Sequence, residues 1–112
     1  MQYIHPNQSG SKIQFRSRYL NFIGGEWVEP AEGRYFENFT PLTGEVFCEV
    51  ARSSGKDIDR ALDAAHAARK AWGRTSPQQR AECLLKIADR IDQHLEMLAV
   101  AETWENGCPL YT

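Results

Sequence analysis

The sequence predicts an α+β segment made of two β-hairpins followed by an αα-hairpin, and three observations carry that expectation. Between residues 19 and 51, runs rich in aromatic and β-branched residues are punctuated by turns bearing glycine or proline. From residue 54 to residue 107, apolar residues recur at three- and four-residue steps behind two capping boxes. Only Arg74-Thr75 separates the two helical stretches, which makes them neighbours in an antiparallel pair.

Residues 1–17 carry Pro6, Gly10 and scattered Ser and Asn without periodicity, so residues 1–18 are expected as a flexible amino-terminal arm and 19–112 as the folded part. Tyr19 to Ile23 and Glu26 to Val28 flank Gly24-Gly25, a two-residue primed-turn signal. Tyr35 to Thr40 and Glu45 to Ala51 form the second pair across Pro41-Leu42-Thr43-Gly44, and two such successive hairpins can share one small antiparallel sheet. Ser54-Gly55-Lys56-Asp57 is an S-x-x-D box that opens a helix ending near Gly73. Its apolar face, Ile58, Ala61, Leu62, Ala65, Ala68 and Trp72, is rich in alanine, which predicts close packing between two layers.

The strongest pattern lies from Ser76 to Gly107. Ser76 as N-cap, Pro77 at the first helical position and Gln79 completing the box start a helix. Leu84, Leu85, Ala88, Ile91, Leu95, Leu98 and Ala99 then form one stripe, and Asn106-Gly107 followed by Pro109 ends it. Read as a single element over 77–105, it is a rod of roughly 42 Å. A small sheet and one partner helix leave part of such a stripe uncovered, so it is expected to dock on further structure or to self-associate.

Composition narrows the function classes. A formal net charge of −2 with interspersed charges argues against a nucleic-acid face. No apolar run approaches the ~20 residues of a membrane span, and the start has no hydrophobic leader region, so a cytoplasmic address is expected. Cys48, Cys83 and Cys108 have neither disulfide nor zinc spacing, and free thiols in packing or incidental positions are expected. His5, His66 and His94 stand at no metal-ligand spacing, and no phosphate-cradling glycine motif occurs. Trp27, Trp72 and Trp104 are read as core aromatics rather than a ligand cage.

The exact strings go further. Asn21-Phe22-Ile23-Gly24-Gly25-Glu26-Trp27, Thr40-Pro41-Leu42-Thr43-Gly44-Glu45, Asp57-Ile58-Asp59 with Ala64-Ala65, Arg80 with Ala88-Asp89, and Glu102-Thr103-Trp104-Glu105-Asn106-Gly107 follow one another in order. Together they resemble the opening of an NAD(P)-dependent aldehyde dehydrogenase, most like the bacterial acetaldehyde dehydrogenases, from Tyr19 to Pro109. The resemblance implies part of the coenzyme-binding domain of an α/β aldehyde dehydrogenase fold. It implies an oxidoreductase that turns aldehydes into carboxylic acids through a thiohemiacetal on cysteine and hydride transfer to NAD or NADP.

The family's catalytic cysteine, general-base glutamate, oxyanion asparagine and dinucleotide-binding strands lie beyond the matching stretch. The resemblance therefore assigns no catalytic and no cofactor-binding residue here, and no NAD or NADP is expected on this chain alone. Its expected role is that of an inactive amino-terminal scaffold fragment whose partner is the remainder of the fold. The family ending Asn-Gly-Lys-Pro is replaced by Asn106-Gly107-Cys108-Pro109. Some relatives hold a monovalent cation at positions matching the backbone of Asn38 and Phe39 and the side chain of Glu105; alternatively Glu105 is a solvated residue at a helix end. Two other functional readings stay open, a non-catalytic module docking on full-length subunits and an inactive truncated gene product.

Overall fold

The computed structural model describes residues 4–108. Five strands precede three helices: β1 (Arg18–Tyr19), β2 (Asn21–Ile23), β3 (Glu26–Val28), β4 (Tyr35–Phe39), β5 (Val46–Ala51), α1 (Gly55–Trp72), α2 (Pro77–Gln93) and α3 (Leu95–Asn106). Both expected hairpins form. Gly24 and Gly25 take φ of 64° and 86°, the pair of positive values that a type I′ turn needs, and β2 and β3 pair antiparallel from Asn21↔Val28 to Ile23↔Glu26.

The hairpins do not share a sheet. β4 and β5 belong to a three-stranded sheet of order β1-β5-β4, while β2 and β3 stand alone as a ribbon. The stretch Tyr19 to Ile23 breaks at Leu20, because its first part runs parallel to β5 with Arg18 opposite Glu49 and Tyr19 opposite Val50. Arg18 is fixed there by Glu49, with Nη2 at 2.7 Å and Nε at 2.9 Å from Oε2, and its guanidinium lies 3.9 Å over the Tyr35 ring. β5 is thereby the central strand, paired on one side with β1 and on the other with β4.

Both capping boxes operate. Ser76 Oγ accepts from Gln79 N at 3.1 Å while Gln79 Oε1 accepts from Ser76 N at 2.9 Å. At α1, Asp57 Oδ2 accepts from Ser54 N at 2.9 Å. The expected single helix is two, however. His94, at φ −115° and ψ 20°, donates its N–H to the Ile91 carbonyl, and its own carbonyl accepts the Leu98 N–H that starts the next helix. Residues 92–96 contain no Pro or Gly to which the bend could be traced. The bend carries α3 back to β5, where Val100 is buried and Trp104 meets Phe47 at 6.3 Å. It also shifts the covered face: Met97, Val100, Ala101 and Trp104 turn inward, whereas Leu95 and Leu98 of the expected stripe are exposed. Gly107 ends α3 at φ 76°, as a left-handed cap should; Pro109 lies outside the described residues.

α1 departs from the expected sandwich. Its apolar face is exposed, including Ile58, Leu62 and Trp72; Ala64, 3.8 Å from where a Cβ on Gly24 would stand, touches the hairpin turn. Trp27 is exposed too, so of the three tryptophans only Trp104 is partly covered. On α2, Leu84, Leu85, Ile87 and Ile91 all face solvent. Among the described residues these apolar faces stay largely uncovered.

Candidate functional site

The residues singled out for a cation do come together. β4 and β5 pair with Asn38 opposite Cys48, but Phe39 pairs with Val46, so Phe47 is an extra residue and the register shifts between Asn38 and Phe39. Such a bulge re-aims side chains at a strand end. It also breaks the strand's simple alternation, leaving Cys48 buried and Val46 exposed. Asn38 Nδ2 donates to both carboxylate oxygens of Glu105, at 3.0 and 3.1 Å, and this joins the end of α3 to the sheet. Phe39 follows at the bulge with its ring exposed. Just below, Gly107 approaches Pro41 so closely that a Cβ would stand 3.2 Å from Pro41 Cγ. Thr40, between them, is almost wholly buried and its N–H donates to the Glu45 carbonyl.

Cys48 borders this patch with 5% of its surface exposed. Burial pushes its thiol up from the ordinary range; a hydrogen bond with the Asn38 side chain pulls the other way, and the Glu105 charge adds to the rise. A raised thiol of this kind is a poor nucleophile, in keeping with a packing role. Cys83 and Cys108 are exposed. His5, His66 and His94 are exposed as well, and among the described residues no three His, Cys, Asp or Glu side chains gather as a metal cluster. The patch holds one carboxylate and one carboxamide, hydrogen-bonded to each other beside bulged backbone, and no acid–base or nucleophilic pair.

Two polar constructions had no full signal in the sequence. Asp57, read as a helix-start residue, is 2% exposed, and its Oδ1 also accepts from Ala31 N at 2.9 Å, pinning the loop after β3 to the start of α1. The backbone N–H of Ser54, then that of Ala31, the Ser54 hydroxyl and Arg60 hold its carboxyl below the usual carboxylate range. The Arg18–Glu49–Tyr35 cluster was equally silent, since it depends on β1 pairing parallel to a strand 31 residues away. Between α2 and α3, a shallow groove of about 360 Å³ is lined by Ile87, Ile91, Met97 and Leu98 with Lys86 and Arg90. Among the described residues no helix is long and apolar enough to cross a membrane.

With two short sheets and an exposed amphipathic helical stretch, the described residues form a small α+β segment whose helical apolar faces lie largely in solvent. The sequence profile described as "Aldehyde dehydrogenase family" matches residues 27–112, and the chain belongs to that family. Over 110 residues it is 58% identical to a long-chain-aldehyde dehydrogenase of Acinetobacter sp., which covers 98% of this chain and 22% of that protein. It is 63% identical over 105 residues to a fluoroacetaldehyde dehydrogenase of Streptantibioticus cattleyicolor, covering 94% of this chain and 21% of that protein. Among solved structures, betaine aldehyde dehydrogenase of Staphylococcus aureus in complex with NAD+ superposes with a TM-score of 0.78 at 33% identity, over 81% of this chain and 18% of that one. The chain thus spans about a fifth of the length of these relatives.

Proposed function

We propose that this chain is the amino-terminal scaffold portion of a cytoplasmic aldehyde dehydrogenase that oxidises aldehydes to carboxylic acids with NAD or NADP. In such an enzyme the coenzyme accepts the hydride, and this chain's residues build part of the domain that holds it. The observation that carries the reading is identity near 58% over almost the whole chain against about a fifth of the relative. The solvent-facing leucines of α2 support it, because they are the surface on which further layers of the fold would pack. By itself the chain binds no dinucleotide and turns over no aldehyde. Purified chain incubated with NAD or NADP and a panel of aldehydes is expected to form no reduced coenzyme; protein-dependent formation that disappears in Cys108→Ser would overturn this.

Within the same reading, the backbone of Asn38 and Phe39 together with Glu105 holds a monovalent cation, the carboxylate turning from the Asn38 side-chain N–H groups to the ion. Thermal unfolding in sodium or potassium against a bulky organic cation tests it, with a stabilisation expected in the parent and abolished in Glu105→Gln. Equal transitions in all three salts would remove the cation from the site. The exposed apolar face of α2 equally suits a non-catalytic module that docks on full-length subunits, and co-purification with such subunits is the outcome that would favour it.

A further inference from the structure

Residues 5–17 belong to neither sheet, yet they touch α3 near both its ends, at Glu96 and Trp104, and β5 at Phe47 and Glu49. His5 stands edge-on to Trp104 with ring centroids 5.7 Å apart, and Phe15 stands edge-on to Phe47 at 4.9 Å. Phe47 meets Trp104, so four rings run in series from Phe15 of the segment through Phe47 of the strand and Trp104 of the helix back to His5. Lys12 Nζ lies 2.7 Å from Glu96 Oε2 in the first turn of α3. Both partners are about half exposed, so this pair directs the segment more than it holds it.

The segment is closed on itself. Asn7 donates its N–H to the Ile13 carbonyl at 3.3 Å, and Asn7 Oδ1 accepts from Phe15 N at 2.6 Å. Asn7 has φ of 65°, a left-handed conformation that asparagine and aspartate reach more readily than other side-chain-bearing residues. At the far end the Ser17 carbonyl accepts from Glu49 N at 2.9 Å, after which Arg18 is anchored on β5. One end of the loop is therefore fixed to the sheet, and its body lies over α3.

We propose that residues 5–17 form a clasp, pivoting at Ser17–Arg18, that locks α3 against β5 and opens as a unit. Opening removes the His5 and Phe15 rings from Trp104 and Phe47, loosens the Asn38–Glu105 contact and admits solvent to Cys48, while the sheet, α1 and α2 keep their structure. Asn7 is the catch, because it supplies both the left-handed turn and the acceptor for Phe15.

The test uses the 112-residue chain carrying Cys83→Ser and Cys108→Ser, so that Cys48 is its one thiol, and follows reaction with a disulfide reagent alongside helix content by circular dichroism. Asn7→Ala, and separately the double variant His5→Ala/Phe15→Ala, are expected to label Cys48 about tenfold faster at unchanged helix content, the signature of local rather than global opening. Asn7→Asp, which keeps an acceptor and tolerates the same backbone, is expected to label at the parent's rate. The clasp is overturned if the parent labels as fast as denatured chain, if Asn7→Ala and the double variant label at the parent's rate, if Asn7→Asp matches Asn7→Ala, or if acceleration comes only with loss of helix.

Discussion

Truncating the leucines of α2 separates what this chain stabilises alone from what a larger fold would supply. Leu84 and Leu85 keep 68% and 65% of their surface in solvent. Complete burial of a leucine side chain is worth roughly 1.5–3 kcal/mol, so with about a third covered only ~0.5–1 kcal/mol is at stake in the isolated chain. Leu84→Ala and Leu85→Ala should each cost no more than about 1 kcal/mol there, part of it returned by the better helix propensity of alanine. Val100 is the internal standard, being 4% exposed. Val100→Ala removes buried carbon worth about 0.8 kcal/mol per methylene-sized group and leaves a cavity, a loss on the order of 2 kcal/mol. Urea unfolding followed by circular dichroism, at concentrations where light scattering reports monomer, measures all three. If Leu84→Ala proves as costly as Val100→Ala in a monomeric sample, α2 is covered within the chain and the reasoning fails. In an enzyme whose remaining layers bury α2, the same Leu84→Ala should cost ~2–5 kcal/mol.

Leu95→Glu should make the isolated chain more monomeric in light scattering at constant helix content, because Leu95 is exposed at the start of α3; loss of helix instead would place it inside. Asp57 has a depressed carboxyl in the folded chain, so its contribution is present above the ordinary unfolded value near ~3.9 and is lost as pH falls through the lower folded value. Asp57→Asn should accordingly flatten the acid limb of a plot of melting temperature against pH, and an unchanged limb would refute the assignment. Gly107→Ala places a Cβ 3.2 Å from Pro41 Cγ at φ 76°, and a loss of about 1–2 kcal/mol is expected from the backbone alone; a neutral substitution would mean that the end of α3 relaxes freely.

Local chemistry was legible. The glycine pair of the first hairpin, the Ser76 and Ser54 boxes and the Gly107 cap all announce themselves within a few residues, and each forms as the pattern says. Asn38 and Glu105 are 67 positions apart, and only the likeness to a family brought them to notice before the fold joined them. What stayed hidden depends on partners distant in sequence. The parallel pairing of β1 rests on Arg18 finding Glu49 and Tyr35, and the second bond of Asp57 rests on the Ala31 N–H.

The bend at His94 shows how a correct period can still give the wrong face. Leu84 to Ala99 keeps a helical repeat across the break, so periodicity alone continues one rod. Hydrophobic period records which side chains want cover, not which neighbour supplies it. β5 can cover only a face that reaches it, so α3 turns, and Val100 and Trp104 displace Leu95 and Leu98 from the inside. α1 and α2 keep their stripes wet, with Leu62, Trp72, Leu84 and Ile91 all exposed. The division follows the covering surface: where this chain has one, the packing departs from the sequence pattern, and where it has none, the pattern stands intact and unfilled. Those stripes are the apolar surface that the described residues leave uncovered.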